Sequence, residues 1–212
     1  MLTIPATAAA FGDVPDKAAT TATTPVAASA TSDPPASAKV KVRRREINVA
    51  GSHTVQVRGR LLPGAAGHEV ELEGLRGGWH ELAHARTNAT GAFDLRFAPH
   101  TLGHERLRVW FGGNSSLSKA SSAAGALTVY EQTVASWYED GGQTACGFHA
   151  RYGVANLSLP CGTHVSFMND GHTVNAVVDD RGPYVGGRDF DLNQNTAGAL
   201  GFAGVGAVWS TK

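Results

Sequence analysis

Val174-Asn175-Ala176-Val177-Val178-Asp179-Asp180-Arg181-Gly182-Pro183-Tyr184 is an apolar strand that runs into a pair of carboxylates and a Gly-Pro turn. Side chains alternate between faces along a strand, so this spacing puts Val174, Ala176, Val178 and Asp180 on one face. A carboxylate in phase with an apolar face is costly unless it is paired, protonated or put to use. Burial raises a carboxyl pKa, which is what a general acid working near neutral pH needs. The same spacing fits an aspartate that caps the turn or pairs with Arg181, and the stretch alone does not separate these readings. Asp179 falls on the opposite face, where a structural or solvated role is expected.

The C-terminal third alternates on both sides of this stretch. Residues 134–138 and 163–168 read as strands, Asn169-Asp170-Gly171 as a hairpin turn, and 172–178 as the returning strand. Asn193 is placed to cap a short helix over 194–200, with Gly201 as the left-handed residue that ends it. Residues 206–210 supply a last strand.

The chain has 212 residues, 18 basic and 18 acidic, with 26 glycines and no long apolar run. A neutral balance gives no support to nucleic acid or an anionic membrane surface as a partner, and no membrane span is expected. Abundant glycine with sparse charge suits short strands and tight turns. Cys146 and Cys161 are the only cysteines. A lone pair fits one disulfide in an oxidising compartment; free buried thiols or half a metal site are the alternatives. No metal site and no cofactor are expected.

Residues 1–45 read as a signal-peptide remnant followed by a disordered Ala/Thr/Pro linker. Ala8-Ala9-Ala10 resembles an A-x-A cleavage site, so the true start is expected upstream. Lys39, Lys41 and Arg43-Arg44-Arg45 form a basic run at the end of this segment, read as a solvated boundary or a weak contact for anionic wall polymer. From 46 to 130 the apolar residues alternate: Val55, Val57 and Leu61; Val70 and Leu72; Phe93 and Leu95; Leu107, Val109 and Phe111; Leu127 and Val129. Turn residues separate the runs about every ten positions, the pattern of an antiparallel β-sandwich. His80-Glu81-Leu82-Ala83-His84 matches the zinc-protease pattern H-E-x-x-H, but that chemistry needs a helix to bring both imidazoles to one face. Gly77-Gly78 before it and Asn88-Ala89-Thr90-Gly91 after it leave too little room, so a strand is expected.

Five segments come in one order: Ala135-Ser136-Trp137-Tyr138, Thr144-Ala145-Cys146-Gly147, Val154-Ala155-Asn156, Ser158-Leu159-Pro160-Cys161-Gly162-Thr163, and the Asp180-Arg181-Gly182-Pro183 block with Gly187-Arg188-Asp189-Phe190-Asp191-Leu192 after it. Together they resemble the RlpA-like double-psi β-barrel family, which is related to expansins and barwin and includes septal-ring lytic transglycosylases. The cysteine pair is similar to the form found in actinobacterial secreted proteins. Leu62-Pro63-Gly64, Gly78-Trp79, Thr90-Gly91-Ala92-Phe93 and Phe111-Gly112-Gly113 are similar to bacterial Ig-like repeat domains. The expected fold is therefore all-β: an Ig-like sandwich over 46–130, then a six-stranded double-psi barrel with one short helix over 131–212. The resemblance implies a secreted, extracellular or cell-wall-associated monomer that acts on peptidoglycan glycan strands.

In such a reaction the muramic 6-hydroxyl attacks its own anomeric carbon and leaves a 1,6-anhydro ring, so one acid/base can suffice. The resemblance marks Asp180 for that role. It assigns Asp191, Gly182 and Pro183 to structure. Trp137, Tyr138, Arg181 and Tyr184 are candidates to contact sugar. Asn156 stands where the family's catalytic histidine is expected, and an amide cannot exchange a proton near neutral pH. His149, His164 and His172 are weighed as substitutes, with His164 expected at the surface. A non-catalytic module that binds or loosens wall glycan, as expansins are thought to do, is the alternative.

Overall fold

Alternation of apolar and polar residues gives the described residues their strands. The computed structural model describes residues 33–51, 53–139 and 141–212. The Ala8-Ala9-Ala10 site and most of the linker lie outside the described residues. Thirteen strands and one helix follow in order: β1 (Lys39–Val42), β2 (Arg45–Ala50), β3 (Val55–Leu62), β4 (Glu69–Leu75), β5 (Trp79–Arg86), β6 (Ala92–Phe97), β7 (Gly103–Phe111), β8 (Ala120–Tyr138), β9 (Gly153–Ala155), β10 (His164–Asn169), β11 (His172–Asp180), β12 (Phe190–Asn193), α1 (Gln194–Leu200) and β13 (Gly206–Ser210). Among the described residues no helix is long and apolar enough to cross a membrane.

The first half is a two-layer sandwich. One sheet runs β1-β3-β6, and the other runs β5-β4-β7-β8 with β2 beside β8. The alternating residues read from the sequence meet between the layers: Val55, Leu61, Val70, Leu72, Leu95, Leu107, Val109 and Leu127 are all buried in one cluster. Two strands begin inside the segment read as linker. β1 opens at Lys39 because Val40 is buried against that core, and β2 opens at Arg45. Ordered structure thus starts before residue 46. The H-E-x-x-H segment lies in β5, paired with β4. His84 bonds Glu81 at 2.7 Å, while His80 faces Glu105 at 3.4 Å, so the two imidazoles serve different partners.

The second half is a ring of six strands. β8 pairs β12, β12 pairs β9, β9 pairs β11, β11 pairs β10, β10 pairs β13, and β13 returns to β8. A ring of this order with one short helix agrees with a double-psi-like region. Its interior holds Ala135, Val154, Val165, Phe167, Ala176, Val178, Phe190, Leu192 and Val208. Phe167 and Phe190 meet edge to face at 5.0 Å. Helix α1 packs Ala197 and Leu200 onto this core. Asn193 caps it by accepting from the Thr196 N–H, and Gly201, at φ 63°, ends it.

Strand β8 belongs to both halves. It runs unbroken past residue 130, where the sequence reading divides one domain from the next, and residues 34–212 form one compact unit. Gly125 is central to this strand. Its φ is 114°, and a Cβ there would lie 1.9 Å from the Arg45 carbonyl oxygen of the paired strand β2. Gly125→Ala is therefore expected to cost about 1–3 kcal/mol through backbone strain and loss of β2 pairing. Urea unfolding of the variant beside the parent checks this.

Candidate functional site

The site begins with an irregularity in β11. The strand pairs with β9 in parallel, Val178 opposite Val154, and the register then shifts so that Asp180, not Asp179, stands opposite Ala155. Such a bulge puts an extra residue in one strand and re-aims the side chains after it. Asp179 is fully buried and its carboxylate accepts from the Ala150 N–H at 2.8 Å. Asp180 is half-buried on the outer face. This corrects the reading by spacing, in which Asp180 continued the apolar face of Val174, Ala176 and Val178. The room for Asp179 comes from Gly153, whose added Cβ would lie 2.3 Å from the carboxylate.

Asp180 is held by donors on its left and right. Its Oδ1 accepts from the Ala145 N–H and the Arg181 N–H, each at 2.8 Å. Among the described residues no hydrogen bond to Oδ2 is found. Among the described residues the Arg181 guanidinium pairs with no carboxylate. It donates to the carbonyls of Asn156 at 2.9 Å and Leu159 at 3.0 Å, and reaches Cys161 Sγ at 3.0 Å. Its role is to clamp the 156–161 loop to the end of β11. Cys146 and Cys161 form the disulfide, with Cα atoms 5.7 Å apart. That bond joins the turn that presents the Ala145 N–H to the loop that Arg181 clamps.

Asn156 is buried, and its amide is committed to the same loop. Oδ1 accepts from the N–H groups of Ser158 and Leu159, and Nδ2 donates to the Asp189 carbonyl at 2.9 Å. Its own N–H donates to the Asp180 carbonyl at 3.2 Å. Asn156 thus shapes the wall beside Asp180, with its amide oxygen and one amide N–H committed to that loop. Asp189 is spent on β8, accepting from the Val134 N–H at 2.8 Å.

A second carboxyl joins Asp180. On β12, Asp191 also stands opposite Ala155, and on its other side it stands opposite Ser136 of β8. Residues directly opposite across paired strands point to the same face. Ser136, Asp191, Ala155 and Asp180 therefore form one row across β8, β12, β9 and β11, with Asp180 and Asp191 about 10 Å apart at Cα, two strand spacings. Gly182 closes over Ala155: a Cβ there would sit 3.6 Å from that methyl. Gly182 and Pro183 are buried and Tyr184 beyond them is exposed. By register Tyr138 lies on the Ser136 face and Trp137 on the opposite one.

The Asp191 carboxyl is held above the ordinary aspartate range, chiefly by burial. Asp180 adds to the rise, while the Ser136 hydroxyl and Arg188 offset part of it. Ser136 Oγ and Asp191 Oδ1 are both buried, yet neither completes a hydrogen bond of ordinary geometry with any described residue. An open cleft of about 390 Å³ is walled by Glu131, Thr133, Asn156, Leu157, Arg188 and Lys212, and neither Asp180 nor Asp191 lines it. His164 is exposed and bonds Asn175 at 3.1 Å, and its strand position gives it no place in the row.

Residues 130–209 match the family model described as "Lytic transglycolase". This part of the chain is thus similar to RlpA-like domains of lytic-transglycosylase type. The chain is also 36% identical, over 102 residues, to a protein of Synechocystis sp. named "Probable endolytic peptidoglycan transglycosylase RlpA". That match covers 41% of this chain and 30% of the cyanobacterial protein. Among solved structures, a marsupial T cell receptor superposes on 82% of this chain with a TM-score of 0.34 and 11% identity, covering 88% of its own length. Bovine butyrophilin superposes on 69% with a TM-score of 0.29 and 13% identity, covering 87% of its own length.

Two outcomes are expected from this geometry. Removing the disulfide by Cys146→Ser with Cys161→Ser should cost roughly 3 kcal/mol, the value for a loop of this length, read by urea unfolding with and without reductant. The raised Asp191 carboxyl stabilises the fold only while protonated, so its contribution is lost as pH rises through the folded pKa. Asp191→Asn should therefore melt above the parent at neutral pH, and the gap should close as pH falls below the ordinary value of 3.8.

Proposed function

We propose that residues 130–209 carry out lytic transglycosylation of peptidoglycan glycan strands, at the wall outside the cell. The observation that carries this reading is the row that sets Asp180 and Asp191 on one outer face of the ring, in unlike environments. Unlike environments divide acid from base work between two carboxyls. Asp191, whose pKa burial raises, donates to the leaving glycosidic oxygen as the C1–O4 bond breaks. Asp180, through Oδ2, takes the proton of the muramic 6-hydroxyl as O6 bonds to C1. The atoms balance without water, and the product end is a 1,6-anhydro ring. The single acid expected at Asp180 is thereby extended to a pair. Tyr184, exposed beyond the Gly-Pro turn, would contact sugar. We infer that the sandwich is a spacer or binding module.

A second reading rests on Asn156. Its amide, at the position of the family's histidine, is tied into a loop, which favours a ring that grips glycan without cleaving it. One experiment separates the two. The full chain, Asp180→Asn and Asp191→Asn are each incubated with purified glycan strands, and the products are read by mass spectrometry. Anhydro-muramic ends from the parent, with each variant slowed about 10²-fold or more, are expected for a general acid and a general base. Intact strands from all three, with protein co-sedimenting on the wall, would establish the binding module instead.

A further inference from the structure

The basic run at residues 39–45 has no part in the glycan site, yet it is where the charge of the chain concentrates. Residues 39–60 hold seven of the chain's 18 basic residues and one of its 18 acidic ones. Strand alternation decides where they go. Val40, Val55, Val57 and Leu61 point into the sandwich core, so Lys39, Lys41, Arg58 and Arg60 point outward from the β1-β3-β6 sheet. On β6, Phe93 and Leu95 are buried, which leaves Asp94 and Arg96 outward.

That outer face carries five cations and a single carboxylate, Asp94. Arg96 reaches Asp94 at 3.0 Å and Arg58 at 3.4 Å. Lys41 stands directly opposite Arg60. Like charges directly opposite each other weaken a sheet, so the fold bears this pair at a cost. At the edge of the face the chain crosses from β1 in one sheet to β2 in the other. Under that crossing lies a cavity of about 110 Å³, rimmed by Arg43, Arg45 and Arg58, with Ile47, Val57 and Ala124 beneath. Guanidiniums present paired N–H donors that match phosphate oxygens. Repeating cations about 7 Å apart along β3 and about 5 Å apart between strands suit a line of anions more than one ion.

We infer that this face and its cavity bind a linear phosphodiester polymer of the cell wall. The phosphodiester chemistry comes from the arginine array, and only the choice of a wall polymer rests on the function proposed above. The face has no aromatic ring on which a nucleic acid base could stack, which sets single-stranded nucleic acid apart.

The test uses the full chain and fluorescence anisotropy with three labelled polymers of matched charge: poly(glycerol phosphate), polyglutamate and single-stranded DNA. Poly(glycerol phosphate) is expected to bind with an affinity that falls as salt rises. Arg43→Ala with Arg58→Ala and Arg60→Ala should weaken it at least about tenfold, since three guanidinium contacts are lost. The triple variant should melt no lower than the parent, since the opposed Lys41 and Arg60 charges are relieved, and should keep its action on glycan strands, and Arg151→Ala, a cation of the ring, should bind as the parent does. Absence of binding, or equal binding by the triple variant, would overturn the site. DNA or polyglutamate bound as tightly as poly(glycerol phosphate) would overturn the phosphodiester wall polymer as its ligand. Because the polymers contain no glycan bond to cleave, failure here leaves the transglycosylase reading intact, and the reverse also holds.

Discussion

The register shift between Val178 and Asp180 is the constraint on which the site depends. Without it, two adjacent aspartates would point to opposite faces in simple alternation, and Asp180 would continue into the core. With it, Asp179 goes inward against Gly153 and the Ala150 N–H, and Asp180 turns to the outer face. Burying one acid anchors the strand end, and the anchored end fixes the other. The Ala145 and Arg181 N–H groups, the Arg181 clamp and the disulfide all gather at that point. A bulge beside a candidate site is in keeping with where such irregularities concentrate.

The two carboxyls of the row are held by different physics. Asp180 is positioned by backbone donors at a strand end. Asp191 is positioned by regular pairing on both sides and is perturbed by burial. Ser136 owes its place to β8, whose earlier residues Leu127 and Val129 are locked into the sandwich core. One strand therefore transmits the rigidity of the first core to one side of the row in the second.

Much of this was legible in the sequence. The alternating apolar residues named the sandwich core almost without exception, because one-sided burial imposes a period of two. Asn193 and Gly201 marked the helix because capping is a local interaction. The Asp180 block marked the candidate site. What alternation could not show was the bulge, which depends on the partner strand and on the space at Gly153. Nor could it show that β9 lies between β11 and β12, which brings Asp180 and Asp191 to either side of Ala155. The resemblance assigns Asp191 to structure and marks Ser136 only as part of a motif. Their meeting is a property of strand order. Arg181 looked like a partner for an acid or a sugar. Its carbonyl partners at Asn156 and Leu159 belong to a loop whose path the sequence does not specify. The start of order at Lys39 was hidden by the Ala/Thr/Pro composition before it.

The central claim is that Asp180 and Asp191 share one electrostatic site. Carboxyl carbon chemical shifts of both residues, followed by NMR through a pH titration, test it most directly. In the parent, Asp191 should titrate above the ordinary aspartate range, and in Asp180→Asn its midpoint should move down, because the neighbouring negative charge is gone. An Asp191 midpoint that stays in place when Asp180 is neutralised would contradict the shared row.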